Sequence, residues 1–258
     1  MLVIRSEQMN ALGSVALRAF EDEMVEHLAE FSPPLFKAVK ETRIREVIRL
    51  GTTRAREYGI TFQGPVRLYL ELMLLFGSGF DTDPQYPWAA EILGDPDSGG
   101  EMERAERLFE DVGEYRRQVG GPQDEYTLNA LRKISAWARS PLPFSSDNFT
   151  SGMLREMAHV YPEKAAYVGE ERLRALIDEG VVAANRFDLS TVRAIALVVV
   201  LMFAFGHGCM DDPLYPWIGG TLENEAVADP SARADRLEKK ALTWLEHVLA
   251  YFDESERG

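Results

Sequence analysis

Apolar residues recur along this chain at helical spacing. In residues 7–31 they fall at Leu12, Val15, Leu17, Phe20, Met24, Leu28 and Phe31, and Ser32-Pro33-Pro34 then stops the pattern. Residues 41–58 form a second predicted helix, with Ile44, Val47, Ile48 and Leu50 facing inward and Gly59 closing it. A third starts near Pro65 and ends at Phe76, before Gly77 and Gly79. Asp83-Pro84 has the form of an N-cap followed by proline at the first helical position, which predicts a short helix to Leu93. Residues 94–100 read as a loop and 101–119 as a helix, with Ala105, Leu108, Val112 and Tyr115 on one face. After the turn signal at Gly120-Gly121-Pro122 come a helix at 126–138 and an irregular stretch at 140–148. Further helices are expected at 149–160, 170–186, 190–206, 213–222 and 230–251, with Ser190 as an N-cap. No segment shows strand alternation, so the predicted class is all-α.

The second half of this list repeats the first. Residues 76–88 read FGSGFDTDPQYPW and residues 205–217 read FGHGCMDDPLYPW, an offset of 129 residues. The same offset aligns 20–120 with 149–249 without a gap: Phe20 meets Phe149, Pro33 meets Pro162, Gly51 meets Gly180, Met73 meets Met202 and Arg104 meets Arg233. The expected architecture is a tandem duplication of a roughly five-helix unit, packed as one pseudo-symmetric helical protein. Its parts would be a first repeat at 1–120, a linker with one helix at 121–148 and a second repeat at 149–258. The third helix of the first copy carries Arg67, Tyr69 and Glu71, which predicts one exposed face. Its partner has Val198 and Val200 in place of the last two, is apolar all round and should lie more centrally.

Composition narrows the partners. The 258 residues carry a formal net charge of −14, which argues against nucleic-acid or anionic-membrane binding and suits a basic protein partner. The longest apolar run, Ile195–Phe205, is shorter than the roughly 20 residues of a membrane span. The first residues do not have the form of a secretory signal, and Cys209 is the only cysteine; both fit a cytoplasmic protein.

Candidate chemistry gathers in the repeated loop. Asp81 and Asp83, with Asp211 and Asp212 in the second copy, allow a hard-cation reading, but the downstream glycine and terminal glutamate of a calcium loop are missing. Helix capping by Asp83 and Asp212 is the stronger reading. Tyr86, Trp88, Tyr215 and Trp217 could form a binding platform; the competing reading has the rings closing the core under the loop. His207 and Cys209 stand where the first copy has Ser78 and Phe80, and two such ligands are too few for zinc. Glu156 and His159 form an E-x-x-H, yet a di-iron site needs carboxylates on partner helices that the buried helices lack. No phosphate loop or nucleophile elbow is present. No catalytic residue, metal or cofactor is therefore assigned, and the ten loop residues from Asp81 to Trp217 stand as binding candidates.

The run R-E-Y-G-I at 56–60, followed by the pattern L-Y-L-E-L-M-L-L-F-G-x-x-F-D-x-D-P-x-x-P-W-A at 68–89, resembles an uncharacterised family of bacterial all-helical proteins encoded beside type VI secretion components. The resemblance implies an immunity protein or effector adaptor; the missing catalytic set and the strong acidity lead us to expect a non-enzymatic interaction protein whose partner is a basic toxin or secretion component. The alternative is a small-ligand or metal-binding helical protein, even an enzyme, with its site at 205–217.

Overall fold

Proline and glycine set the helix limits. In the computed structural model residues 6–95 and 99–255 are described, without the side chains of 6–14, 16, 254 and 255. The expected role of Leu12 and part of the 94–100 loop lie outside that range. The chain folds as α1 (Ser6–Phe31), α2 (Pro33–Val39), α3 (Glu41–Glu57), α4 (Gln63–Phe76), α5 (Pro87–Gly94) and α6 (Glu101–Tyr115). Then come α7 (Glu125–Ala138), α8 (Phe149–Val160), α9 (Pro162–Val168), α10 (Glu170–Arg186), α11 (Val192–Phe205), α12 (Pro216–Leu222) and α13 (Pro230–Ser255). There is no strand among the described residues. The limits of α2, α3 and α4 return in α9, α10 and α11 displaced by 129 residues, and α5 and α6 begin 129 residues before α12 and α13.

Each pair α3–α4 and α10–α11 packs through a glycine. A Cβ on Gly51 would run into the side chains of Leu70 and Met73, and one on Gly180 into Val199. The missing side chain lets the two helix backbones close up at the centre of each half. There Ile44, Val47, Ile48, Leu70 and Met73, and correspondingly Leu173, Leu176, Ile177, Val199 and Met202, are buried. Each such side chain contributes about 1.5–3 kcal/mol through removal from water.

Several limits differ from the sequence expectation. Pro33 and Pro162 do not merely stop a helix but occupy the first turn of the short α2 and α9, where a missing N–H costs nothing. α4 begins at Gln63, ahead of Pro65. The N-cap of α11 is Thr191, not Ser190: its hydroxyl accepts from Ala194 N at 3.2 Å. The helix after 101 keeps α geometry only to Tyr115 and widens into a π turn over Arg116–Gly120. That turn buries Val119, whose carbonyl accepts from the Tyr161 hydroxyl at 3.0 Å. Leu50 is exposed, because the inward face of α3 runs through Ile44, Val47, Ile48, Gly51 and Ala55. Tyr69 is buried rather than part of an exposed face; its hydroxyl donates to Asp81.

Candidate functional site at the junction of two loops

The repeated phrase forms the loops between α4 and α5 and between α11 and α12, and the two loops lie against each other. Gly77 and Gly206 end α4 and α11 at φ of 94° and 96°. This is backbone that disfavours any side chain. A Cβ on Gly77 would overlap the Phe205 carbonyl oxygen, and one on Gly206 would come within 2.7 Å of the Phe76 carbonyl oxygen. The two chain segments touch through their glycines.

Asp83 and Asp212 fasten this contact, and they do so reciprocally. Asp83 Oδ2 accepts from His207 N at 2.7 Å, and Asp212 Oδ2 accepts from Ser78 N at 2.7 Å. Each second oxygen accepts from the backbone two residues on, Gln85 N and Leu214 N, both at 2.8 Å. The expected helix caps are therefore not there: α5 and α12 start at Pro87 and Pro216. Both acids instead hold the opposite loop. The reason is local, since an aspartate closing a turn on residue i+2 has one oxygen left for a donor across the gap. Burial pushes both carboxyl groups above the usual range.

Aromatic rings seal each loop in matching sets. Phe76 lies 4.7 Å from Tyr86, 5.7 Å from Trp88 and 5.3 Å from Tyr115. Phe205 lies 4.5 Å from Tyr215, 6.1 Å from Trp217 and 4.6 Å from Trp244. Tyr86, Trp88 and Tyr215 are buried and Trp217 half-buried. The loop rings belong to the core beneath the loops.

The two loops differ at Ser78, Phe80 and Asp81, where the second has His207, Cys209 and Met210. Asp81 Oδ2 accepts from Tyr69 at 2.8 Å and Tyr58 at 3.1 Å, while Oδ1 stands 3.5 Å from Arg54. The corresponding residues in the second half are Met210, Val198, Phe187 and Ala183, an apolar set. His207 bridges the halves, with Nδ1 3.1 Å from Glu179 and Nε2 3.1 Å from Thr82 Oγ1. Asp211 pairs with Arg186 at 2.8 Å at the surface. Cys209 is fully buried, and burial pushes its thiol up, so it supplies no thiolate nucleophile at neutral pH. Among the described residues no group of three or more His, Cys, Asp or Glu side chains is placed to hold a metal ion.

Sequence reasoning missed two polar residues at the centre. Lys164 on α9 is buried; its Nζ donates to the Phe203 carbonyl at 2.6 Å and lies over the rings of Phe203 at 4.8 Å and Tyr86 at 5.6 Å. Burial lowers its pKa to about 8. Gln85 Nε2 donates to Asp83 Oδ2 at 3.1 Å and to the Met202 carbonyl at 3.0 Å. Their partners at the 129-residue spacing, Leu35 and Leu214, are apolar, which was the available signal. The assembled junction holds two buried acids and a buried amine, each hydrogen-bonded to backbone, while Gln85 Oε1 and the Trp88 indole N–H find no partner. Its chemistry is that of a latch between two halves.

Comparison with protein-family models, with curated proteins and with solved structures finds no match for this chain. No helix among the described residues is long and apolar enough to cross a membrane.

Proposed function

We propose that the chain is a non-enzymatic, cytoplasmic protein-interaction protein, built as a tandem duplication of a helical unit, that docks a basic helical segment of a partner across α4 and α6. The recurring helix limits, the reciprocal aspartates and the matched ring distances support the duplication. The resemblance of its loop pattern to proteins encoded beside type VI secretion components suggests an immunity protein or effector adaptor, with a basic toxin or secretion component as partner.

The carrying observation is a difference between the halves. In the second half α7 packs on α13 beside α11, facing Leu197, Ala204, Glu238 and Leu242. At the 129-residue spacing these correspond to Leu68, Leu75, Phe109 and Gly113 in the first half. That face is open: Phe109 is 70% exposed, Met102 61% and Leu75 44%. Met102 and Phe109 share one side of α6, bordered by the exposed Glu106 and Glu110, and α6 carries six acidic residues against two arginines. A helix seated like α7 would bury the apolar stripe, and basic residues on it would meet the acidic border.

The test is capture from the native host at low salt, identification of the partner, and its affinity for variants. Phe109→Glu and Leu75→Glu should each weaken binding more than tenfold, while Val182→Glu, equally exposed on α10, should leave it unchanged. Affinity should fall with added salt. Equal sensitivity to all three substitutions, or no salt dependence, overturns the proposal.

A further inference from the structure

The helix that covers the second half does not fill the space beneath it. Between α7, α11 and α13 lies a cavity of about 80 Å³. Its walls are Leu131, Ile134 and Trp137 from α7, Leu197 and Val200 from α11, and Leu242 from α13, among others. Its exposed lining is almost wholly carbon. Small residues account for the void: Ala196 and Ala204 on α11 and Ala241 on α13 stand where the first half has Arg67, Leu75 and Val112. The space is several times what one water molecule occupies and opens to solvent beside the exposed Ala204, yet it offers water almost no polar partner, so an apolar molecule that displaces the water there gains free energy. One edge is fixed. Arg193 Nε pairs with Glu238 at 2.9 Å, and its Nη1 donates to the Ser140 carbonyl at 3.2 Å, so a single side chain ties the end of α7 to α13. With both charges paired to each other, the rim places no demand for charge on an occupant.

We propose that this cavity is a binding site for an uncharged apolar molecule, an alkyl chain or small aromatic ring, held under α7. The site is separate from the exposed α4–α6 face and does not depend on the interaction proposal. The lining is hydrophobic on all three helices, which is the make-up of small-molecule pockets. α7 forms its roof, so occupancy would stiffen the roof against α13.

Toluene is the probe. Titrated into the purified full chain, it should give saturable shifts of the methyl resonances of Leu197, Val200 and Leu242 and raise the melting temperature. Ala204→Leu fills the space and should abolish the saturable shifts while leaving the fold intact. Leu242→Ala enlarges it and should admit naphthalene, which the unaltered chain takes up less well; this second variant decides the matter if Ala204→Leu does not fold. Shifts that do not saturate, that map away from α7, α11 and α13, or that persist undiminished in folded Ala204→Leu overturn the proposal. So does an absence of any shift up to the solubility of toluene.

Discussion

Replacing Lys164 with methionine should change the pH dependence of stability in a way that reverses sign. In the folded chain the Lys164 ammonium is buried against Phe203 and Tyr86, and burial lowers its pKa from 10.5 to about 8. Below pH 8 both folded and unfolded chains carry the proton, and the folded state bears the whole penalty. Between 8 and 10.5 the unfolded chain holds more protons, so stability rises with pH; above 10.5 both forms are neutral. A displacement of 2.5 units corresponds to about 3 kcal/mol. Methionine fills similar volume without charge but cannot donate to the Phe203 carbonyl, and leaving that acceptor unpaired costs about 1–2 kcal/mol. The variant should therefore be about 1–2 kcal/mol more stable at pH 7 and less stable by a similar amount at high pH, the curves crossing near pH 9. Leu35 holds the corresponding position in the first half, so an apolar residue is compatible with this packing. Urea denaturation followed by far-UV circular dichroism at constant ionic strength, for both proteins from pH 7 to 11, measures the difference. Titration of tyrosines away from position 164 cancels in it. A stability difference that stays flat between pH 8 and 10.5 would refute a buried charged lysine.

Asp212→Ala strips Ser78 N and Leu214 N of their acceptor and should cost about 2–4 kcal/mol in chemical denaturation, after relief from burying the carboxylate. Its neighbour Asp211→Ala breaks only an exposed pair with Arg186 and should cost under about 1 kcal/mol; equal effects would mean that the loop contact carries no energy. Lys40→Gly should raise stability by about 1–2 kcal/mol, because Lys40 sits at φ 70° and ψ 153°, where glycine is favoured. The chain itself has Gly169 at φ 82° and ψ 155° at the corresponding place, and no gain in melting temperature would argue against that backbone conformation.

The helices were legible because α3, α4, α10 and α11 each bury one side against a partner, and burial leaves a periodic trace in the sequence. The short α2 and α9 were hidden. Seven residues carry too little periodicity, and Ser32-Pro33-Pro34 has the form of a stop even though Pro33 suits the first turn of a new helix. Asp83-Pro84 misled for a related reason. Aspartate before proline suits an N-cap, but it equally suits a turn in which the carboxylate bonds the backbone two residues on. Only the opposite loop, 124 residues away at His207 N, decides between them, and no local pattern reports such a partner.

The same limit explains the central polar groups. Asp83 and Asp212 stand 129 residues apart and fasten both loops, whereas Lys164, Gln85 and the Asp81 cluster have apolar residues at that spacing. If those unpaired differences were only tolerated drift, the buried polar side chains should lack partners. Instead Lys164 and Gln85 each donate to a backbone carbonyl of α11, and Asp81 Oδ2 gathers two tyrosine hydroxyls with Arg54 3.5 Å from Oδ1; among these atoms Gln85 Oε1 has neither a hydrogen bond nor an ion partner. A buried polar group costs little only when bonded, and each bonded set favours the packing that supplies its partners. These groups therefore distinguish two halves whose helix limits recur at a spacing of 129 residues. Lys164 and Gln85 tie the first loop and α9 to α11.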